Sequence, residues 1–361
     1  MENGMNYDIN ETEGYPVTRI ETISGKSINM QRVGHVLNVD GKQRYRMEAG
    51  DILFSHINSL PHMGKTAYFE GDVELYHGMN LLLLRAKESV NSRFLYYQLN
   101  TPKNIARYQV IANRAVNQAS INTKTLAGIT LFLPSVSEQQ RISSFFKLLD
   151  QKLETQIRVI EDLKTLKAAL CELLYDEREP NYLIGEIIEQ TSIRNRNGEN
   201  LKVLSVSNQL GFIDQSEQFE GRTIASQDTS NYKVVSLDDF AYNPARINVG
   251  SIARLKDFEK GIVSPMYICF RCKNGVLPGY LESFFDTDYF YIEMEKRLEG
   301  SVRMCLSYEG LCNIPIAIPN IQEQKSIGQK IQVLKEKIKL EESIYKHLSS
   351  QKQILLSQLF I

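Results

Sequence analysis

Four cysteines have spacings that could hold a metal. Cys269 and Cys272 are separated by two residues, as in a zinc knuckle, and Cys305 and Cys312 could supply a second pair. The surrounding YICFRCKNG, however, has the composition of a β-strand, where residues three apart face opposite ways. No matching cysteines occur in the first half of the chain, so these read as buried thiols. Asn243-Pro244-Ala245-Arg246 shares its first two residues with the Asn-Pro-Pro-aromatic signature of amino-methylating enzymes. It lacks the second proline and the aromatic, and reads as a turn. His35, His56, His62, His77 and His347 are scattered, with no Ser, Cys or Asp placed for nucleophilic catalysis. A G-x-x-x-x-G-K-[ST] loop and a strand-borne G-x-G-x-x-G are both missing, as is a metal–carboxylate constellation for a nuclease. The chemistry-bearing residues point to binding, not catalysis: no metal and no cofactor is expected on this chain.

The elements that would position a binding surface are written twice. LPSVSEQQRI at 133–142 returns as IPNIQEQKSI at 318–327, with Pro134, Glu138, Gln139 and Ile142 matching Pro319, Glu323, Gln324 and Ile327 at an offset of 185. Upstream the echo is fainter. GDILFSHIN (50–58) parallels DDFAYNPARI (238–247), each leading to a G-x-x-A (Gly64 to Ala67, Gly250 to Ala253). YPVTRIETIS (15–24) parallels LKVLSVSNQ (201–209), and offsets of 186 to 188 place short insertions in loops. Each half mixes short β-branched runs with Gly, Asn and Ser punctuation and contains a helical stretch, NSRFLYYQLNT (91–101) or LPGYLESFFDTDYF (277–290). The expected class is α+β, with globular domains at 1–134 and 180–319 separated by long helices at 135–179 and 320–361. PNYLIGEIIEQT (180–191) precedes the first aligned strand of the second domain, whereas only fourteen residues precede Tyr15. The opening strand of the first domain is therefore expected to be shortened.

Both long helices open with capping-box spacing after a proline, Ser135-x-x-Glu138 and Asn320-x-x-Glu323. Their apolar residues step by three and four: Ile142, Phe146, Leu149, Leu153, Gln156, Ile160, Leu163, Lys167, Leu170, Leu174. The same series recurs 185 residues on: Ile327, Ile331, Leu334, Ile338, Glu341, Tyr345, Leu348, Lys352, Leu355, Leu359. About 35 residues at ~1.5 Å each make a rod of about 50 Å. Such stripes need a partner, and a pseudo-twofold repeat would pack them antiparallel on each other. A constant index sum of 508 sets Gln156 beside Lys352 and Lys167 beside Glu341, so polar breaks meet polar breaks and fix the register.

Composition narrows the setting. The 361 residues carry 42 Lys+Arg against 43 Asp+Glu, which excludes a polycationic tail binder but not a local basic patch. The longest apolar run, Leu81–Leu84, cannot span a bilayer, and MENGMNYDIN has no apolar export core. Five cysteines fit free thiols in a reducing cytoplasm, where the chain is expected to act, with no membrane partner. Two related globules on a rigid spacer suit two separated stretches of one long ligand, and duplex DNA presents its groove faces every ~34–36 Å.

Three loops in each half carry the side chains that hold phosphates and read bases. In the first half they are Arg19, Ser24, Lys26, Asn29, Gln31 and Arg32; then Ser55, His56, Asn58 and Lys65; then Asn113, Arg114, Asn117 and Gln118. In the second half they are Ser207, Asn208, Gln209 and Arg222; then Tyr242, Asn243, Arg246 and Asn248; then Ser301 and Arg303. His56 and Arg246 occupy matching places in the repeat.

The paired L/IP-x-x-x-EQ junctions, the heptad helices ending in Leu-Leu-Tyr or Gln-Leu-Phe, GDILFS with its following G-x-x-A, and Asn117-Gln118-Ala119-Ser120-Ile121-Asn122 together resemble the specificity subunits of type I restriction–modification enzymes. The resemblance covers nearly the whole chain. It implies a non-catalytic reader of double-stranded DNA, with two target-recognition domains each reading half of a split site. The helices would dock two methyltransferase subunits that use S-adenosylmethionine, with motor-nuclease subunits using ATP and magnesium where the system has them. The family's aromatic entry residue is absent, there being no Trp in the chain. The competing reading is a structural adaptor whose coiled coil and globules bind proteins.

Overall fold

The structure is a computed structural model that describes residues 1–360 apart from 25–26, 115–117, 176–177, 209, 216–227 and 301–302; the side chain of Ser24 is also outside the description. The chain divides into two compact units, Met1–Ile157 with Ser343–Ile361, and Arg158–Glu342. Each unit thus takes one globular domain and a half of each long helix.

The same sheet is built in both units. In the first, Glu2–Asn3, Leu82–Leu84, Ile52–Phe54 and Thr66–Tyr68 lie side by side in that order, all antiparallel. In the second, the order is Ile188–Thr191, Ile268–Cys272, Phe240–Tyr242 and Ile252–Arg254. The leading strand has two residues in one and four in the other. A parallel bridge joins Val17 to Tyr76 in the first unit, and its counterpart 186 residues on joins Val203 to Ile262 in the second. Around it the second unit has a full sheet ordered Gly211–Asp214, Val203–Ser207, Lys260–Val263, Lys233–Ser236, where the first has two-stranded pairs.

Two buried polar devices are repeated as well. Asp51 accepts two bonds from Arg85 at 2.8 Å and one from the Glu48 amide at 2.7 Å. Asp239 does the same with Arg271, at 3.1 and 3.2 Å, and the Ser236 amide, at 2.9 Å. Each aspartate closes the turn that launches a strand toward a candidate loop. The residue just before it has positive φ, Gly50 in one unit and Asp238 in the other.

The second device ties domain to helix. Gln139, buried in the first turn of the helix Val136–Tyr175, donates to the Pro134 carbonyl at 2.9 Å and accepts from the Asn91 amide at 2.9 Å. Gln324, in the first turn of Ile321–Leu359, donates to Pro319 and Gly275 carbonyls at 2.8 and 3.0 Å and accepts from the Leu277 amide at 2.8 Å. Asn91 and Leu277 are the N-cap residues of the equivalent helices Ser92–Leu99 and Pro278–Phe284. After these helices, Thr101 and Thr287 cap the next ones, accepting from Asn104 and Phe290 amides. The glutamates of the two junctions play a lesser part: Ser135 and Asn320 accept from the Glu138 and Glu323 amides, while the carboxylates lie near Arg141 and Arg178.

The long helices bury the heptad stripe that their sequence prescribes, with one correction. Every residue of the two series is buried or half-buried except Leu359, which is exposed. In the last turns the inward face moves one position on, to Cys171 and Tyr175 and to Leu356 and Phe360, because 3.6 residues per turn drifts from a strict heptad. These terminal aromatics plug into the domains. Tyr175 meets Tyr280 at 5.0 Å, and Phe360 meets its counterpart Phe94 at the same distance.

Within each unit the helix halves run antiparallel: Phe146 meets Phe360 and Asp150 meets Lys352 in the first, and Lys164 meets Glu342 while Arg178 meets Glu323 in the second. The two lysines of the expected register take other ion partners. The Lys352 ammonium lies on Asp150, whose other oxygen accepts from Tyr97 Oη at 2.8 Å; Lys167 reaches Asp286 at 3.3 Å, and Glu341 pairs with Lys337. An ammonium leaving water gains more from a carboxylate than from the Gln156 amide that the sequence pattern offered Lys352. The place of Asp150 is taken by Lys335 in the second unit, so there the domain supplies the acid, and Asp286 holds Lys335 at 2.8 Å together with Lys167. Burial pushes the Asp286 carboxyl up, but the two ammoniums outweigh it and hold it below the usual carboxylate range.

Candidate nucleic-acid interface

In the first unit the fold gathers all three candidate loops. Ile57–Asn58 pairs with Ala119–Ser120, which pairs with Asn113–Arg114, so the loop after GDILF and the loop before the junction share one small sheet. An open cleft of about 350 Å³ lies against it, lined by Ile20, Ile57, Asn80, Asn113, Gln118, Ala119 and Ser120. Ile20 brings the first loop to the same place. Gln31, Arg32, Arg114 and Gln118 are exposed; Arg19, Asn58 and Lys65 are half-buried, with Arg19 near Glu21 at 3.7 Å. Asn29 caps its turn, accepting from the Gln31 amide at 2.9 Å. Lys26 and Asn117 lie outside the described residues, as does the Ser24 side chain.

Ser55 needs correcting as a DNA contact. It is 1% exposed, and its hydroxyl, lying 3.5 Å from the Ile57 carbonyl, accepts from Asn58 at 3.1 Å, so it shapes the loop from beneath. His56 is half-buried, its Nδ1 is enclosed without a partner, and burial lowers its pKa, so it is neutral at pH 7. Below lies His77, fully enclosed, with Nε2–H donating to the Leu81 carbonyl at 3.1 Å. Burial holds its pKa down to about 4 from 6.5. A depressed folded-state pKa contributes stability that is present above pH 6.5 and is lost as pH falls toward 4. The first unit should therefore lose about 3 kcal/mol across that window from this one group. Urea titrations from pH 7 to 4 should show this slope, and His77→Gln should flatten it; an unchanged slope in the variant would remove His77 as its cause.

The second unit also gathers its loops. Arg246 and Asn248 are exposed on the turn Ile247–Val249, which ends at Gly250 with φ of +86°. A Cβ at Gly250 would stand 3.4 Å from that of Asn208, so two loops touch there. Pro244 accepts from the Leu306 amide at 3.1 Å, which draws in the loop of Arg303, itself exposed. Ser207 accepts from the Leu210 amide, and Asn208 is exposed. Gln209, Arg222 and Ser301 lie outside the described residues. Tyr242 and Asn243 are corrections: both are buried, Tyr242 donates to the Leu306 carbonyl at 3.2 Å, and Asn243 accepts from the Ala245 amide at 3.1 Å. A strand register that turns alternate residues inward, invisible in the loop pattern alone, puts Tyr242 in the core.

The cysteines behave as strand residues. Cys269 lies in one core of the second unit and Cys272 packs against another, and burial pushes both thiols up to about 12. Among the described residues no group of His, Cys, Asp and Glu is placed to hold a metal, and no helix is long and apolar enough to cross a membrane. Sequence reasoning missed Asn80. Its signal was a polar turn residue directly before the apolar Leu81–Leu84, a place where Asn tolerates positive φ.

Residues 4–162 match the type I restriction modification DNA specificity domain. Over 386 aligned residues the chain is 29% identical to the putative type I restriction enzyme MjaX specificity subunit of Methanocaldococcus jannaschii, spanning 96% of this chain and 86% of the relative. The fold is that of a type I S subunit from M. genitalium, with a TM-score of 0.60 at 15% identity over 100% of this chain and 99% of that one. A chain from work on complex assembly and conformational transition of the type I R-M system matches at a TM-score of 0.55 and 14% identity, covering 97% of this chain and 92% of that one. A DNA-specificity domain matched over residues 4–162, a relative aligned along almost the whole chain and a shared fold agree in what the chain is similar to: the specificity subunits of type I restriction–modification systems.

Proposed function

We propose that the chain is a non-catalytic reader in which each domain recognises one half of a bipartite DNA site. The observation that carries this is a duplicated frame with unlike loops. Sheet order, Asp–Arg pair and glutamine tie recur, while the gathered loop side chains differ: His56, Asn58 and Gln118 against Asn208, Arg246 and Arg303. One scaffold presenting two chemistries suits two different half-sites. The long helices leave Phe145 and Leu148 exposed in the first unit and Leu166, Leu173, Val333 and Leu340 exposed in the second, apolar side chains suited to docking methyltransferase subunits. S-adenosylmethionine would belong to those subunits, and ATP and magnesium to restriction subunits where present. An adaptor role is not favoured, since the matched domain is a DNA specificity domain.

Methylation-aware sequencing of DNA from cells making the chain with its methyltransferase tests this. The expected result is a split, adenine-methylated motif; methylation without a motif, or with a contiguous one, would count against two reading heads. Arg246→Ala should cost ~1–3 kcal/mol of discrimination in one half of that motif if the guanidinium meets a base edge. Equal weakening on all sequences would make it a phosphate contact, and an unchanged motif and affinity would remove it from the interface.

A further inference from the structure

We propose that the cleft where Asn80, Asn113 and Gln118 converge over Ile20, Ile57 and Ala119 reads the major-groove edge of an A·T pair in one half of the site; this rests on the DNA-reading function proposed above. The three side chains are exposed, and their carboxamides have no hydrogen-bond partner among the described residues. The floor beneath them is apolar. Among the described residues no Lys or Arg lines the cleft, and the carboxamides placed there suit a base edge better than a phosphate. An A·T edge offers two acceptors (adenine N7 and thymine O4), one donor (the adenine amino group) and a methyl. Carboxamides supply the matching donors and acceptor, and the apolar floor suits the methyl. A G·C edge offers a similar polar set but no methyl, so the floor decides between them.

Asn80 stands at φ of +69°, a left-handed turn position that asparagine tolerates and that sets its carboxamide at the edge of the cleft.

The test uses the full-length chain in complex with its methyltransferase and selection from randomised duplexes. Wild type should enrich A·T at a position in one half-site, and uracil in place of thymine there should weaken binding. Asn80→Gly, which removes the carboxamide without adding strain, and Gln118→Ala should each reduce discrimination at that position about tenfold. The other half-site should be read as before, which also shows that the variants are folded. The proposal is overturned if both variants keep the full A·T preference, if they weaken all sequences or both halves alike, or if that half-site has only G·C positions. A wild-type complex with no sequence preference would instead overturn the DNA-reading function itself.

Discussion

Gln324→Ala should destabilise the second unit by about 2–4 kcal/mol, although the side chain touches no candidate contact. The carboxamide is 1% exposed and makes three hydrogen bonds, so truncation leaves the half-buried Leu277 amide and Pro319 carbonyl without their partner, while the exposed Gly275 can turn to water. Gln324→Glu separates hydrogen bonding from mere packing. One carboxylate oxygen can still accept from Leu277, but the other faces the Gly275 and Pro319 carbonyls with no proton to give. The isosteric change should therefore cost as much as alanine or more. Gln139→Ala removes two bonds and should cost less, about 1–3 kcal/mol, in the first unit. Urea unfolding of the full chain, with hydrogen exchange at the Leu277 amide, measures both. A Gln324→Glu protein as stable as wild type would disprove the tie.

Asp51→Ala should cost the first unit about 2–4 kcal/mol. Removing one partner of a buried pair is commonly worth 3–5 kcal/mol, and we discount that because Arg85 is 45% exposed and can turn to water. The lost carboxylate also strands the Glu48 amide, and the turn before Ile52–Phe54 loosens. That strand leads to His56 and Asn58, so DNA discrimination in one half-site should fall with stability. Asp239→Ala should follow the same course less steeply. Its bonds to Arg271 are longer, and burial raises its carboxyl pKa even though the Ser236 amide and Arg271 pull it down. Chemical denaturation of both variants should rank Asp51 above Asp239. A cost under about 0.5 kcal/mol for Asp51→Ala would show the pair to be surface decoration.

By itself the sequence determined the repeat, the two long helices and the face each buries. These follow from local periodicity and from residues recurring at an offset of 185, and the helices obey the same spacing rule until their last turns, where the buried face moves one position on. It also indicated that Cys269 and Cys272 face apart, because strand alternation needs no knowledge of the rest of the fold. Only the tertiary structure decided which of the repeated polar residues are tools and which are joints. In the sequence Gln139 and Gln324 are only matched positions of the repeat; the Asn91 and Leu277 amides that they hold come from distant segments. Lys167 and Lys352 were matched to the right face but to the wrong partners, since the nearest carboxylate is set by how domain and helix dock. Ser55 and Tyr242 lie in loop-like sequence yet turn inward, and Asn80 enters the cleft only because three segments far apart in the chain meet there. Periodicity is encoded locally, whereas the partner of a polar side chain depends on long-range packing that no window of sequence contains.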